Sequence, residues 1–154
     1  YYILLSDGTK IEVCRHDDSE STRYVGSLVH NDGTFESTGF GSGRIVATSS
    51  GMATRYFLTD HLGSVRQVVA ADGSVIEQND YYPFGKEWAQ PDMPTSDNRY
   101  TFSGKEKQHL RFQKIDYTDF GARFYDAEGV HFLQQDPLLE KYFRIGQYNF
   151  AREI

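Results

Sequence analysis

The stretch Val65-Arg66-Gln67-Val68-Val69-Ala70-Ala71-Asp72-Gly73-Ser74-Val75-Ile76-Glu77-Gln78 decides the fold class. Two runs rich in β-branched residues flank an Asp-Gly dipeptide. The tightest hairpin turns need positive φ at both central residues, and Asp-Gly adopts it at little steric cost. The segment reads as an antiparallel hairpin. Asp7-Gly8 and Asn31-Asp32-Gly33 repeat the signal upstream. Tyr2-Ile3-Leu4-Leu5 and Ile11-Glu12-Val13 flank the first as two strands. Tyr24 to Val29 flank the second as one arm, with a weaker partner from Thr34 onward. A single hairpin is marginal in water, so these units must lean on one another.

Outward from these hairpins the signals thin. Residues 37–54 are rich in Gly, Ser and Thr, and only Ile45-Val46 reads as strand, so a loop or weak edge strand is expected there. Residues 89–99 hold Pro91 and Pro94, which lack backbone donors, and read as a connection. Tyr100-Thr101-Phe102 leads into a charged turn over 103–107. Strands are expected over Phe112 to Tyr117, Ala122 to Tyr125 and Val130 to Leu133. One short helix is expected near 137–144. Asp136 can cap it, Pro137 suits its first position, and Leu138, Leu139, Tyr142 and Phe143 share one face. The expected fold is therefore all-β, with antiparallel hairpins and one short helix.

Composition agrees. The 154 residues suffice for one domain or one slice of a larger assembly. Tyr and Phe number 11 each and Gly 14, which suits pleated sheet and tight turns. The net charge of −6 disfavours nucleic acid and anionic membrane surfaces. A single cysteine, Cys14, excludes an internal disulfide and a multi-cysteine zinc site. The chain begins at Tyr1 without a signal-like stretch, so a fragment or mature piece is expected.

The segments are also self-similar. Tyr117-Thr118-Asp119-Phe120-Gly121 echoes Tyr56-Phe57-Leu58-Thr59-Asp60-His61-Leu62-Gly63, and Tyr125-Asp126-Ala127-Glu128-Gly129 gives Tyr-Asp-x-x-Gly. The last resembles the YD repeat. Asp60-His61-Leu62-Gly63-Ser64-Val65-Arg66 resembles a signature of the rearrangement-hotspot (Rhs) repeat family. So do Asp80-Tyr81-Tyr82-Pro83-Phe84-Gly85 and Tyr100-Thr101-Phe102-Ser103-Gly104-Lys105-Glu106. Residues 119–126, followed by Gln135-Asp136-Pro137-Leu138-Leu139-Glu140-Lys141-Tyr142, are similar to the Rhs-associated core, in the form found in Bacteroides-type bacteria. The resemblance implies hairpin repeats over residues 1–98 and a core segment over 99–154, wound as one curved sheet or partial shell. It implies a secreted or cell-surface protein whose shell encapsulates or presents a C-terminal effector, often a toxin. Its partners would be the rest of the same polypeptide, the upstream shell and the downstream effector. No Asp-Pro-x-Gly segment follows Ala151, so the core is expected to be truncated ahead of its cleavage junction.

Two other functions have residues to support them. In several Rhs proteins the core is an autoprotease, and the resemblance assigns the role of an aspartic dyad to Asp126 and Asp136. Two close carboxylates sharing a proton can activate water. Turn and cap roles account for the same two residues without chemistry. Tyr81, Tyr82, Phe84 and Trp88 could stack on sugar rings in a carbohydrate-binding module, although cross-strand aromatic pairs also hold sheets together. Metal binding has little support. Asp60-His61 would face opposite sides of a strand, and the other histidines lack ligand spacing. Asp116 and Asp119 read as a solvated turn rather than a calcium site. No cofactor is expected. The uncharged first strand, Tyr1 to Leu5, is an edge that would recruit a second chain, so self-association through edge strands is expected.

Overall fold

The computed structural model describes residues 2–14, 21–88, 91–110, 115–141 and 146–150. It is all-β. Among the described residues, thirteen strands form two antiparallel sheets, and two single 3-10 turns at Phe102–Gly104 and Leu139–Lys141 are the only helical turns. None of them is long and apolar enough to cross a membrane.

The first sheet pairs β1 (Tyr2–Leu4), β2 (Lys10–Cys14), β3 (Ser21–Val25), β4 (Leu28–Asn31), β5 (Thr34–Phe40), β6 (Gly43–Thr48), β7 (Gly51–Thr59), β8 (Val65–Ala70) and β9 (Val75–Gln78) strictly in chain order. The second pairs β10 (Glu106–Leu110), β11 (Ile115–Asp119), β12 (Phe124–Asp126) and β13 (His131–Phe132), again in chain order. By contacts the chain forms two compact units, residues 1–58 with 67–77, and residues 59–66 with 78–154.

Glycine takes positive φ in all three Asp-Gly turns, 84° at Gly8, 77° at Gly33 and 86° at Gly73, but only in the second does the Asp before it do so as well. Asn31 pairs with Thr34 across Asp32 (φ 48°) and Gly33 (φ 77°), the double positive φ that the dipeptide allows. The arm expected over Tyr24 to Val29 is instead two strands. Gly26, at φ 60°, turns the chain so that Val25 pairs with Leu28. A glycine at the first central position of a two-residue loop does this without an Asp or Asn beside it.

Residues 37–54 correct the sequence reading further. They belong to β5, β6 and β7, and all three lie inside the sheet rather than at its edge. Thr and Ser serve these strands because partners across the sheet complete them. Gly43 pairs with both Phe40 and Tyr56, whose rings meet edge to face at 5.9 Å. A Cβ on Gly43 would lie 2.1 Å from the Arg55 carbonyl oxygen, so the close approach requires glycine. Ser37 is buried and accepts two hydrogen bonds from the Arg44 guanidinium, at 3.2 and 2.8 Å.

Register places Val25, Leu28, Phe40, Met52, Tyr56 and Leu58 on one face of this sheet. All six are exposed, Met52 at 65% and Leu58 at 50%. The opposite face carries buried Val29, Ser37 and Arg44.

The charged turn expected over 103–107 already contains the start of β10 at Glu106. The expected helix near 137–144 is a 3-10 turn as far as it is described, and residues 142–145 lie outside the described residues. Its bonds run to the third residue, Leu139 N to Asp136 O at 3.0 Å and Lys141 N to Leu138 O at 2.9 Å. Leu138, on the expected apolar face, is exposed. The expected strand over Phe112 to Tyr117 is described only from Ile115.

The second unit has an aromatic core. Phe102, Tyr125 and Phe132 are buried, with Tyr81, Phe120 and Phe150 packed against them. Tyr125 lies 4.2 Å from Phe150 and 6.2 Å from Phe102 between ring centroids, and Phe120 meets Tyr125 edge to face at 5.8 Å. Offset and edge-to-face arrays of this kind match the ring quadrupoles.

Candidate functional site

One device recurs along the chain. The carboxylate Oδ1 of an Asp accepts the backbone amide two residues on. Asp7 takes Thr9 at 2.8 Å, Asp60 takes Leu62 at 2.9 Å, and Asp72 takes Ser74 at 2.9 Å. Asp119 takes Gly121 at 2.7 Å, Asp126 takes Glu128 at 2.9 Å, and Asp136 takes Leu138 at 2.8 Å. Asp closes its own turn in this way because its short side chain reaches the amide that the turn leaves free. The Thr9 backbone amide, helped by its hydroxyl, holds the Asp7 carboxyl below its usual range. For Asp72 the Ser74 hydroxyl leads and the amide follows, with the same sign.

Both proposed catalytic carboxylates carry this role. Asp126 closes the turn after β12. Asp136 opens the 3-10 turn, and its Oδ2 also pairs with Arg123 at 3.2 Å. The Arg123 guanidinium lies 3.7 Å from the Phe132 ring centre, and its buried NH1 has no hydrogen-bond partner among the described residues.

The four aromatics proposed for sugar binding are divided by the fold. Residues 80–88 form a small hairpin. Tyr81 bridges to Glu87, the Tyr82 amide donates to the Lys86 carbonyl at 2.8 Å, and the Trp88 amide donates to Asp80 at 2.7 Å. Alternation sends Tyr81 inward. Its ring packs near Phe102 at 5.9 Å, and its hydroxyl donates to the Val65 carbonyl at 2.8 Å. Tyr82 and Trp88 face outward, stacked at 5.7 Å with 17° between planes, and are 49% and 53% exposed. Phe84, at the tip, is exposed as well.

The tip is clamped to the core by two contacts. The Tyr125 hydroxyl donates to the Phe84 carbonyl at 2.8 Å. Gly85, at φ 89°, lies so close to Phe102 that a Cβ would stand 2.5 Å from the ring. Burial, with the Asp126 charge adding, pushes the Tyr125 phenol up to about 12.

Beside the hairpin lies a half-open cleft of about 220 Å³, lined by Gly85, Glu87, Phe102, Lys107, Asp116 and Glu128 among others. Lys107 lines it, 2.8 Å from Glu87 and 3.2 Å from Asp116. Burial opposes its charge, but the two carboxylates outweigh burial and raise its pKa. Lys86 pairs with Glu128 at 3.0 Å. No local pattern in the sequence joins Lys107 to Glu87 and Asp116, which come from three separate segments.

Asp60 and His61 occupy a turn rather than a strand. Asp60 Oδ1 there accepts the amides of Leu62 and Ser64, both at 2.9 Å. Asp116 is engaged by Lys107 and Asp119 by the Gly121 amide. No group of three or more metal-ligating side chains occurs among the described residues.

No protein-family model and no curated protein matches the chain. Solved structures do match its fold. One structure of TcdB2-TccC3 matches at a TM-score of 0.74 and 16% identity, covering 98% of this chain and 8% of that one. The structure of a Photorhabdus luminescens Tc holotoxin pore carrying the TccC3-D651A mutation matches at 0.73 and 17% identity, with the same coverage. TcdB2-TccC3 with Cdc42 matches at 0.69 and 18% identity, covering 89% of this chain and 8% of that one. The chain thus has the fold of a small portion of much longer chains that occur in Tc toxin assemblies.

Proposed function

We propose that this chain is a section of the wall of a hairpin-repeat shell that encloses or presents an effector polypeptide. The strand order carries the reading. Nine strands and then four pair strictly in sequence, so each hairpin leans on its neighbours. Such a meander grows by adding hairpins at an edge without rearranging those already formed. The likeness to 8% of a TcdB2-TccC3 chain supports a small part in a large wall. The Rhs-like motifs supply the effector, the secreted or cell-surface location and the division into repeats over 1–98 and core over 99–154. The exposed apolar face of β3 to β7 fits a contact surface, because a patch of that kind rarely stays uncovered.

In this role the aspartates hold turns and the aromatics hold the core. Limited proteolysis of the full polypeptide that carries this chain tests the reading. The effector segment should resist protease until denaturant opens the shell. Cleavage of that segment as fast as when it is expressed alone would overturn it.

A further inference from the structure

We infer that Lys107, Asp116 and Glu87 form a self-cross-linking site, in which the Lys107 amine condenses with the Asp116 carboxyl to an isopeptide bond between β10 and β11. This inference is independent of the wall reading. Lys107 pairs opposite Thr118, so Asp116 is its diagonal neighbour on the same face of the sheet, within reach of a long side chain. Its Nζ lies 3.2 Å from Asp116 Oδ2 and 2.8 Å from Glu87 Oε2, which comes from the 80–88 hairpin. The ammonium donates a hydrogen bond to Glu87. Phe102, Ala127 and Thr118 line the same cleft, and the Lys107 side chain is only 19% exposed. Lys86 shows the contrast. It is 52% exposed and its partner Glu128 74%, so water keeps that pair as ions.

Each contact sets a role. A lysine attacks only as the neutral amine, so the ammonium must first shed a proton. Glu87 holds the hydrogen bond along which that proton departs. The nitrogen then bonds to Asp116 Cγ, and one Cγ–O bond breaks. The freed oxygen leaves as water, taking one proton back from Glu87 and one from the nitrogen. Ammonium and carboxylate thus become amide and water. Glu87 ends as the carboxylate it began as, the net charge of the three groups is unchanged, and no other reactant enters. Burial already opposes the Lys107 charge, and a neutral amide removes that cost for both partners. Holding amine and acid in contact makes the condensation unimolecular, an advantage on the order of 10⁵ M for well-oriented groups. The ion pair is the state before reaction, and a chain that has reacted keeps no amine at 107 to titrate.

The purified 154-residue chain is incubated at neutral pH while its intact mass is followed. The parent should be lighter by one water, at purification or as incubation proceeds. A tryptic digest should then give a branched peptide joining the segments that carry Lys107 and Asp116. Asp-Gly turns can also lose water by closing to a succinimide, so masses are read after mild alkali, which reopens that ring and leaves an amide intact. Lys107→Arg and Asp116→Ala should abolish the loss, and Asp116→Asn should lose ammonia in place of water. Glu87→Gln should stay largely at full mass over the same period, its rate about a hundredfold lower, the usual worth of a positioned acid–base group. Far-UV circular dichroism checks that each variant folds. If Asp116→Ala does not, the ammonia loss in Asp116→Asn carries the same test. A parent that keeps its full mass after alkali, a loss that persists in Lys107→Arg, an unchanged rate in Glu87→Gln, or a branch on Glu87 rather than Asp116 would overturn the inference.

Discussion

Gly85 is where the hairpin tip meets the aromatic core, and replacing it with alanine gives a loss of stability that the geometry sizes. The residue sits at φ 89°, and an added Cβ would stand 2.5 to 2.6 Å from three atoms of the Phe102 ring. That ring cannot retreat, because Tyr81, Tyr125 and Phe150 surround it at centroid distances of 5.9, 6.2 and 5.9 Å. Left-handed backbone costs a residue with a Cβ about 1 kcal/mol. Overpacking a filled core adds about 2 kcal/mol. The stiffer unfolded chain returns about 0.5 kcal/mol. Gly85→Ala should therefore lose about 2.5 kcal/mol. Gly121 is the control, with φ 87° in the same unit and nothing within 4 Å of its Cβ position. Gly121→Ala should lose only the backbone part, about 0.5 kcal/mol after the same return. Urea unfolding followed by Trp88 emission compares the two. If Gly85→Ala costs no more than Gly121→Ala, the packing of the tip against Phe102 is wrong.

Tyr125→Phe should cost about 1 kcal/mol, since it leaves the Phe84 carbonyl without its donor. The phenol titrates near 10 in the unfolded chain and at about 12 in the folded one. A raised pKa stabilises fully below pH 10, and that contribution is lost as pH climbs from 10 toward 12. Lys107, whose pKa is also raised, loses its contribution in the same direction above 10.5. Unfolding midpoints measured from pH 8 to 12 should fall above about 10, and Tyr125→Phe should flatten that fall. Asp136→Ala should cost about 1 kcal/mol by freeing the Leu138 amide, whereas Asp136→Asn keeps that acceptor and loses less. Mass spectrometry after long incubation should find no new peptide from the parent chain; a cleavage product suppressed by Asp126→Asn or Asp136→Asn would contradict the turn role. The β1 edge, with Ile3 and Leu4 exposed, should drive self-association that Ile3→Lys reduces in sedimentation experiments, and a parent chain that stays monomeric at high concentration would remove the edge argument.

The sequence made the turns legible where an Asp or Asn stands beside the glycine. Asp72-Gly73 and Asp32-Gly33 carry their chemistry locally. Gly26 does not, and the strands over 37–54 were hidden for a related reason. Their Ser, Thr and Gly residues depend on partners such as Phe40 and Tyr56 over Gly43, or Arg44 on Ser37, which appear only once the register is set. The aromatic hairpin was legible as a group and not as two faces. Alternation separates Tyr81 from Tyr82, but only the packing of Tyr81 on Phe102 and its bond to the Val65 carbonyl show which of them points inward. The Lys107 cluster joins residues from three segments, Glu87 lying 20 positions from Lys107, and no local pattern marks such a meeting.

The proposed wall role requires further hairpins paired with those of this chain. Electron cryomicroscopy of the full polypeptide that carries it tests this most directly. A section of wall should appear within a spiralling sheet of hairpins closed around interior density, with β1 hydrogen-bonded to a neighbouring strand and the exposed face of β3 to β7 covered. An isolated domain, with β1 bare and no enclosing sheet around any other segment, would contradict it.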